Sequence, residues 1–143
     1  MLARIHESRK DWRSLIDLRK SELATAEGQE ALEIRVALAR LAEERLGDRA
    51  EAIATWREIL DKHGDVEVAL QALYTLYEKD QRWADAAEIL RRKVQTASDP
   101  DWAVELLTRL AVLHADKLDQ HAESIQIWAE VARRVPRHER ANA

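Results

Sequence analysis

The chain has 143 residues, 46% hydrophobic and 35% charged, enough apolar material for one folded domain and too much for a disordered polyelectrolyte. Its 23 basic against 27 acidic side chains leave a net charge of −4, so no broad positive field draws it to nucleic acid or to an anionic membrane surface, and neither partner is expected. The absence of cysteine removes disulfide scaffolds, thiol nucleophiles and thiolate metal sites, and three Gly and two Pro leave few strand or turn punctuators.

Apolar residues recur at helical spacing throughout. A short helix is expected over 2–10, carrying Leu2 and Ile5, followed by one over 12–26 with Trp12, Leu15, Ile16 and Leu23 on one side. The next two span 29–46, with Leu38, Leu41, Ala42 and Leu46, and 49–63, with Ala52, Ile53, Trp56, Ile59 and Leu60 opposite a charged face. Helices at 66–79 and 83–97 carry Leu70, Leu73, Leu76 and Tyr77, then Trp83, Ala86, Ala87, Leu90 and Val94. The last two, 100–118 and 121–135, carry Leu106, Leu107, Leu110, Leu113 and Leu118, then Ile125, Trp128, Val131 and Val135.

Breakers fall between these runs. Gly28, Gly47, Gly64 and Pro136 stand where a helix ends, Asp48 with Glu51 resembles a capping box, and Asp99 before Pro100 is a helix start. No window approaches the ~18 apolar residues of a membrane span and no signal peptide opens the chain, so a soluble, cytoplasmic location is the default expectation.

Self-comparison gives the strongest signal. At an offset of 71, Leu2, Trp12, Thr25 and Ala26 meet Leu73, Trp83, Thr96 and Ala97. One inserted residue near Ser98 makes the offset 72, and Leu38, Ala39, Leu41, Leu46, Ile53 and Trp56 then meet Leu110, Ala111, Leu113, Leu118, Ile125 and Trp128. The reading is a single domain over 1–143 made of two periods, 1–71 and 72–143, each holding two helix pairs of roughly 36 residues, the size of a solenoid unit.

The unit resembles the tetratricopeptide repeat. Leu73 and Tyr77 match the first helix of that motif, and Trp83, Ala86 and Leu90 match the aromatic, small and large residues of its second. In another unit Leu46-Gly47-Asp48, Ala52, Trp56, Ile59 and Leu60 match the loop and second helix, with Gly64 where the family usually has Pro. The small residue of the first helix is Tyr74 in one unit and Ala39 and Ala111 in others, where the turn is one residue longer. The half-a-tetratricopeptide repeat of RNA-processing scaffolds is a competitor through Ala52–Leu60, but Ile34–Glu43 and Glu105–Ala115 lack the aromatic and acidic signature of its first helix. The resemblance implies an all-α fold, a right-handed α-α superhelix of about four helix pairs. Both ends of the chain fall inside a unit, which gives the expectation of a fragment of a longer array whose uncapped ends could join copies head to tail.

Sites of chemistry are sparse. His114 and His121 lie near Asp116 and Asp119, but neither pair has the i, i+4 spacing of two ligands on one helix face, so no metal site is expected. His6 falls at a packing position, and His63 and His138 lie near helix ends. The carboxylates Glu43-Glu44, Asp61, Asp65, Asp99 and Asp101 sit at helix termini or on polar faces, without a sign of the burial a general acid needs, so no enzyme and no cofactor are expected. Arg91-Arg92-Lys93 and Arg133-Arg134, with Arg137 and Arg140, lie near helix C-termini, where cations complement the macrodipole; the other reading is a docking patch for an acidic partner. Trp102 has no aromatic counterpart and is the one contact aromatic expected to be partly exposed.

What the resemblance implies about function is a non-catalytic scaffold that holds a helical or extended segment of a protein or peptide partner in a concave groove lined by the first helix of each pair. The matching positions are Glu33, Arg40 and Glu44, then Gln71, Thr75, Glu78 and Lys79, then Glu105, Arg109 and Asp116. Asn142 is the one asparagine, which disfavours the family's Asn-and-Lys clamp for C-terminal carboxylates.

Overall fold

In the computed structural model, residues 9–134 are described, and they form seven α-helices with no strand among them. The expected helix at 2–10 lies outside the described residues except for its last two positions, as do His6, His138, Arg137, Arg140 and Asn142. Two compact units divide at Ala69 and Leu70, a point in the first turn of the fourth helix.

The first unit contains α1 (Arg9–Leu23), α2 (Gly28–Arg40) and α3 (Arg49–His63), with a π-helical segment at Leu41–Leu46 that continues α2. No break separates residues 10 and 12, because neither Lys10 nor Asp11 interrupts a helical backbone; α1 instead stops three residues early, where Ala24, Thr25 and Ala26 turn back onto the carbonyls of residues 20 to 23. Ile16, Leu38 and Leu46 form a core cluster, onto which Trp12, Leu23, Ile34 and Leu41 pack. Trp56, Ile59 and Leu60 of α3 are buried as well, and Ala39 and Ala52 are fully enclosed small residues that let α2 and α3 approach.

In the first unit the longer turn is reached through the π segment. Bonding i to i+5 over one stretch absorbs an added residue without ending the helix. The chain then leaves through Gly47, left-handed at φ 63°, while the Asp48 amide bonds back to the Ala42 carbonyl at 3.0 Å. Asp48 next caps α3, its carboxylate accepting from the Glu51 amide at 3.1 Å.

The second unit holds most of α4 (Glu67–Lys79), then α5 (Trp83–Thr96), α6 (Pro100–Asp116) and α7 (His121–Arg134). Leu70, Leu73, Leu76 and Tyr77 of α4 are buried, as are Ile89 and Leu90 of α5 and Leu106, Leu107 and Leu110 of α6. Asp99 accepts from the Asp101 amide at 3.1 Å and Pro100 occupies the first turn of α6, as the Asp-Pro start predicts. The turn from α6 to α7 repeats the one after the π segment: Asp119 takes the left-handed conformation at φ 53°, and the Gln120 amide bonds the His114 carbonyl at 2.8 Å. Ser124 stands where α3 has Ala52, and its hydroxyl donates to the Ala111 carbonyl across the close α6–α7 approach at 2.8 Å.

Candidate interaction groove

A largely apolar concavity lies in the second unit, between α4 and α6, the first helices of successive pairs, and has a volume of about 360 Å³. Tyr74, Trp83, Val112 and Leu113 form its apolar surface; Glu78, Thr108, Arg109, Asp116 and Lys117 complete it. Val112 is 44% exposed.

The periodicity explains how these side chains come together. Leu73, Leu76 and Tyr77 turn one face of α4 into the core, so Tyr74 and Glu78, one turn apart, share a less buried face. On α6 the buried set Leu106, Leu107, Leu110 and Leu113 likewise leaves Glu105, Arg109, Val112 and Asp116 outward.

Charge inside the groove is unevenly answered. Arg109 pairs with Glu105 at 3.2 Å and its guanidinium lies 5.4 Å from the Trp102 ring centre. The Lys117 ammonium lies 5.2 Å from the ring centre of Trp83. Glu78 accepts a hydrogen bond from the Tyr74 hydroxyl at 3.0 Å, a neutral donor, and Asp116 has no partner among the described residues. Burial first, and then the hydrogen bond and negative charge of Glu78, raise the Tyr74 phenol from 10.0 to about 12, against a smaller opposing pull from Arg109.

Beside the groove is a cluster that the sequence did not announce. Lys93 looks like one residue of a solvated Arg-Arg-Lys run, but it is only 2% exposed. Its ammonium donates to Gln71 Oε1 and lies 5.9 and 5.7 Å from the ring centres of Tyr74 and Trp102. Gln71 in turn donates from Nε2 to Thr75 Oγ1 at 3.3 Å. Trp102 is half-buried with two cations within 6 Å of its ring centre. The clue was positional: Lys93 is one turn from Ile89 and Leu90 on the buried stripe, where an ammonium needs acceptors and aromatic rings to remain.

Among the residues expected to line a groove, Glu78, Arg109 and Asp116 come together in this concavity, Gln71 and Thr75 sit in the adjoining cluster, and Glu105 joins through Arg109. Lys79 is exposed at the end of α4. The first-unit positions do not share one recess: Glu33 lines an open groove of about 490 Å³ between α1 and α2, Arg40 lies 5.9 Å from the Trp56 ring centre, and Glu44 is exposed on the π segment. Glu43, next to it, accepts from the Trp56 indole N–H at 3.3 Å. His114 is buried with Nδ1 donating to Gln120 Oε1 at 2.7 Å, whereas His121 is exposed and reaches only Asp119. Among the described residues no three His, Asp or Glu side chains group as metal ligands, and no helix is long and apolar enough to cross a membrane.

Residues 35–66, the end of α2 with the π segment, α3 and the following turn, match the tetratricopeptide repeat family model. That segment is similar to a tetratricopeptide repeat. No curated protein matches the sequence. The repeat is a helix-pair module of protein-interaction scaffolds and in general a non-catalytic one. Its match covers the pair in which Gly47, Ala52, Trp56 and Leu60 hold the loop and second-helix positions.

Proposed function

We propose that the protein is a non-catalytic interaction scaffold that holds a helical or extended segment of another protein against α4 and α6. The observation that carries this reading is Val112. It presents an exposed aliphatic side chain on the floor of a recess walled by the first helices of two pairs, with Tyr74 and Trp83 beside it. A peptide array covering diverse sequences, probed with the wild-type chain and with Val112→Asp, tests the assignment. Spots that bind the wild type are expected to fade with the variant while its helical circular dichroism is kept. An unchanged binding pattern would remove the groove from the proposal.

A second reading, self-assembly, is favoured by α7. Ile125 and Trp128 are 68% and 43% exposed, although their counterparts Ile53 and Trp56 in α3 are buried. A second copy whose helix packs on this face would enclose both. Sedimentation velocity across a wide concentration range then finds dimers or longer species that Trp128→Glu abolishes; a particle monomeric at every concentration rules this reading out.

A further inference from the structure

The occupant of the α4–α6 groove can be specified by its chemistry, an inference that rests on the groove assignment above. Four charged side chains line the recess, two of each sign, and they are not equivalent. Both cations are engaged within the protein: Arg109 with Glu105 at 3.2 Å and with the Trp102 ring, Lys117 with the face of Trp83. Neither carboxylate meets a cation. Glu78 has only the Tyr74 hydroxyl, and Asp116 has no partner among the described residues. The apolar floor thus carries one carboxylate without an ion-pair partner on each wall, from α4 on one side and α6 on the other.

We propose that this groove takes a basic amphipathic helix, whose aliphatic side chains seat on Val112, Leu113 and Trp83 while its Lys or Arg side chains meet Glu78 and Asp116. A segment with an apolar stripe and flanking cations satisfies both features at once. An acidic segment would have to displace Glu105 from Arg109 or draw Lys117 off the Trp83 face, and would still face Glu78 and Asp116, two like-charge contacts.

Three fluorescein-labelled helical peptides with one leucine pattern, and with Lys, Gln or Glu at every polar position, separate the possibilities by anisotropy titration. The Lys peptide is expected to bind about fivefold more tightly than the Gln peptide, as two rim charge pairs of roughly half a kcal/mol each would give, and the Glu peptide more weakly than either. Because the whole chain carries a charge of −4, general attraction must be separated from attraction at these two positions. The double variant Glu78→Gln with Asp116→Asn does so: it should erase the Lys advantage and leave the Gln peptide's affinity unaltered. A Lys advantage that survives the double variant, or a Gln or Glu peptide that binds at least as well as the Lys peptide, overturns the proposal. The groove assignment fails separately, through Val112→Asp leaving the affinity for the Gln peptide unchanged; no binding by any peptide at millimolar concentration sinks both.

Discussion

At equivalent sequence positions the two units keep the same scaffold and change what faces outward. In the first, Arg45 lies 5.1 Å from the ring centre of Trp12; in the second, Lys117 lies 5.2 Å from that of Trp83. Gly47 and Asp119 share the left-handed turn, and the amides after them make the same backbone bond. Outward positions differ. Where the first unit has Arg40, whose guanidinium lies over Trp56, and Glu43, which accepts its indole N–H, the second has Val112 and Ala115, and Trp128 remains exposed. Positions that decide how a helix pair closes are held constant, and those that decide what it touches are free to vary, the separation a binding scaffold requires.

The sharpest way to break this comparison is through its tryptophans. Trp56 is 1% exposed, so Trp56→Ala should remove about 3–5 kcal/mol by opening a large cavity, measured by urea unfolding. Trp128→Ala should cost about 1 kcal/mol or less, since much of that ring is already in water. Equal losses would mean that Trp128 is enclosed in solution, which would move weight to the self-assembly reading.

A smaller effect is expected in the paired turns. A Cβ at Gly47 would meet nothing within 4 Å, so Gly47→Ala carries only the strain of a left-handed backbone, about 1 kcal/mol. Asp119 already bears that strain, and Asp119→Gly should stabilise by a few tenths to about 1 kcal/mol. Opposite signs at the two positions in thermal unfolding would show that the turns are equivalent; two losses would show that the Asp119 carboxylate contributes beyond its backbone.

Most of this architecture was legible because periodicity is a property of the buried stripe, and the stripe is what packs. The elements from α2 through α7 lie within a few residues of the positions read from Leu, Ile and Trp spacing, and the Asp48 and Asp99 caps form the bonds their types suggest. The winding of Leu41–Leu46 as a π segment was not visible, because the second unit carries the same extra turn residue after a plain α-helix and sequence spacing does not say where a helix absorbs an insertion. The groove was half legible. Outward positions of first helices named Glu78, Arg109 and Asp116, but the burial of Lys93 depends on which residues of other helices meet it, and a run of three basic residues conceals that.

Ser124 sharpens the comparison at lower cost. The Ser124→Ala change restores the residue of the first unit at the helix crossing and removes one buried hydrogen bond, whose acceptor, the Ala111 carbonyl, is able to keep its helical partner. A loss of about 0.5–1 kcal/mol in urea unfolding is expected, and a loss above about 2 kcal/mol would show that the hydroxyl holds α6 and α7 together.

The smallest expected effect reads the groove's electrostatics directly. The Tyr74 phenol is raised from 10.0 to about 12, so the folded state favours its neutral form. The contribution of this group to stability is present in full below pH 10 and is lost as pH rises toward about 12, the direction for an acid whose proton is bound more firmly in the fold. Spectrophotometric titration near 295 nm, as the difference between the wild type and Tyr74→Phe, should show one phenol ionising near pH 12. In Glu78→Gln that step should move back toward 10, because the amide still accepts the hydroxyl's bond but no longer repels a phenolate. A step that stays near 12 would assign the shift to burial and the retained hydrogen bond, and leave Glu78 without the unanswered charge on which the basic-partner proposal depends.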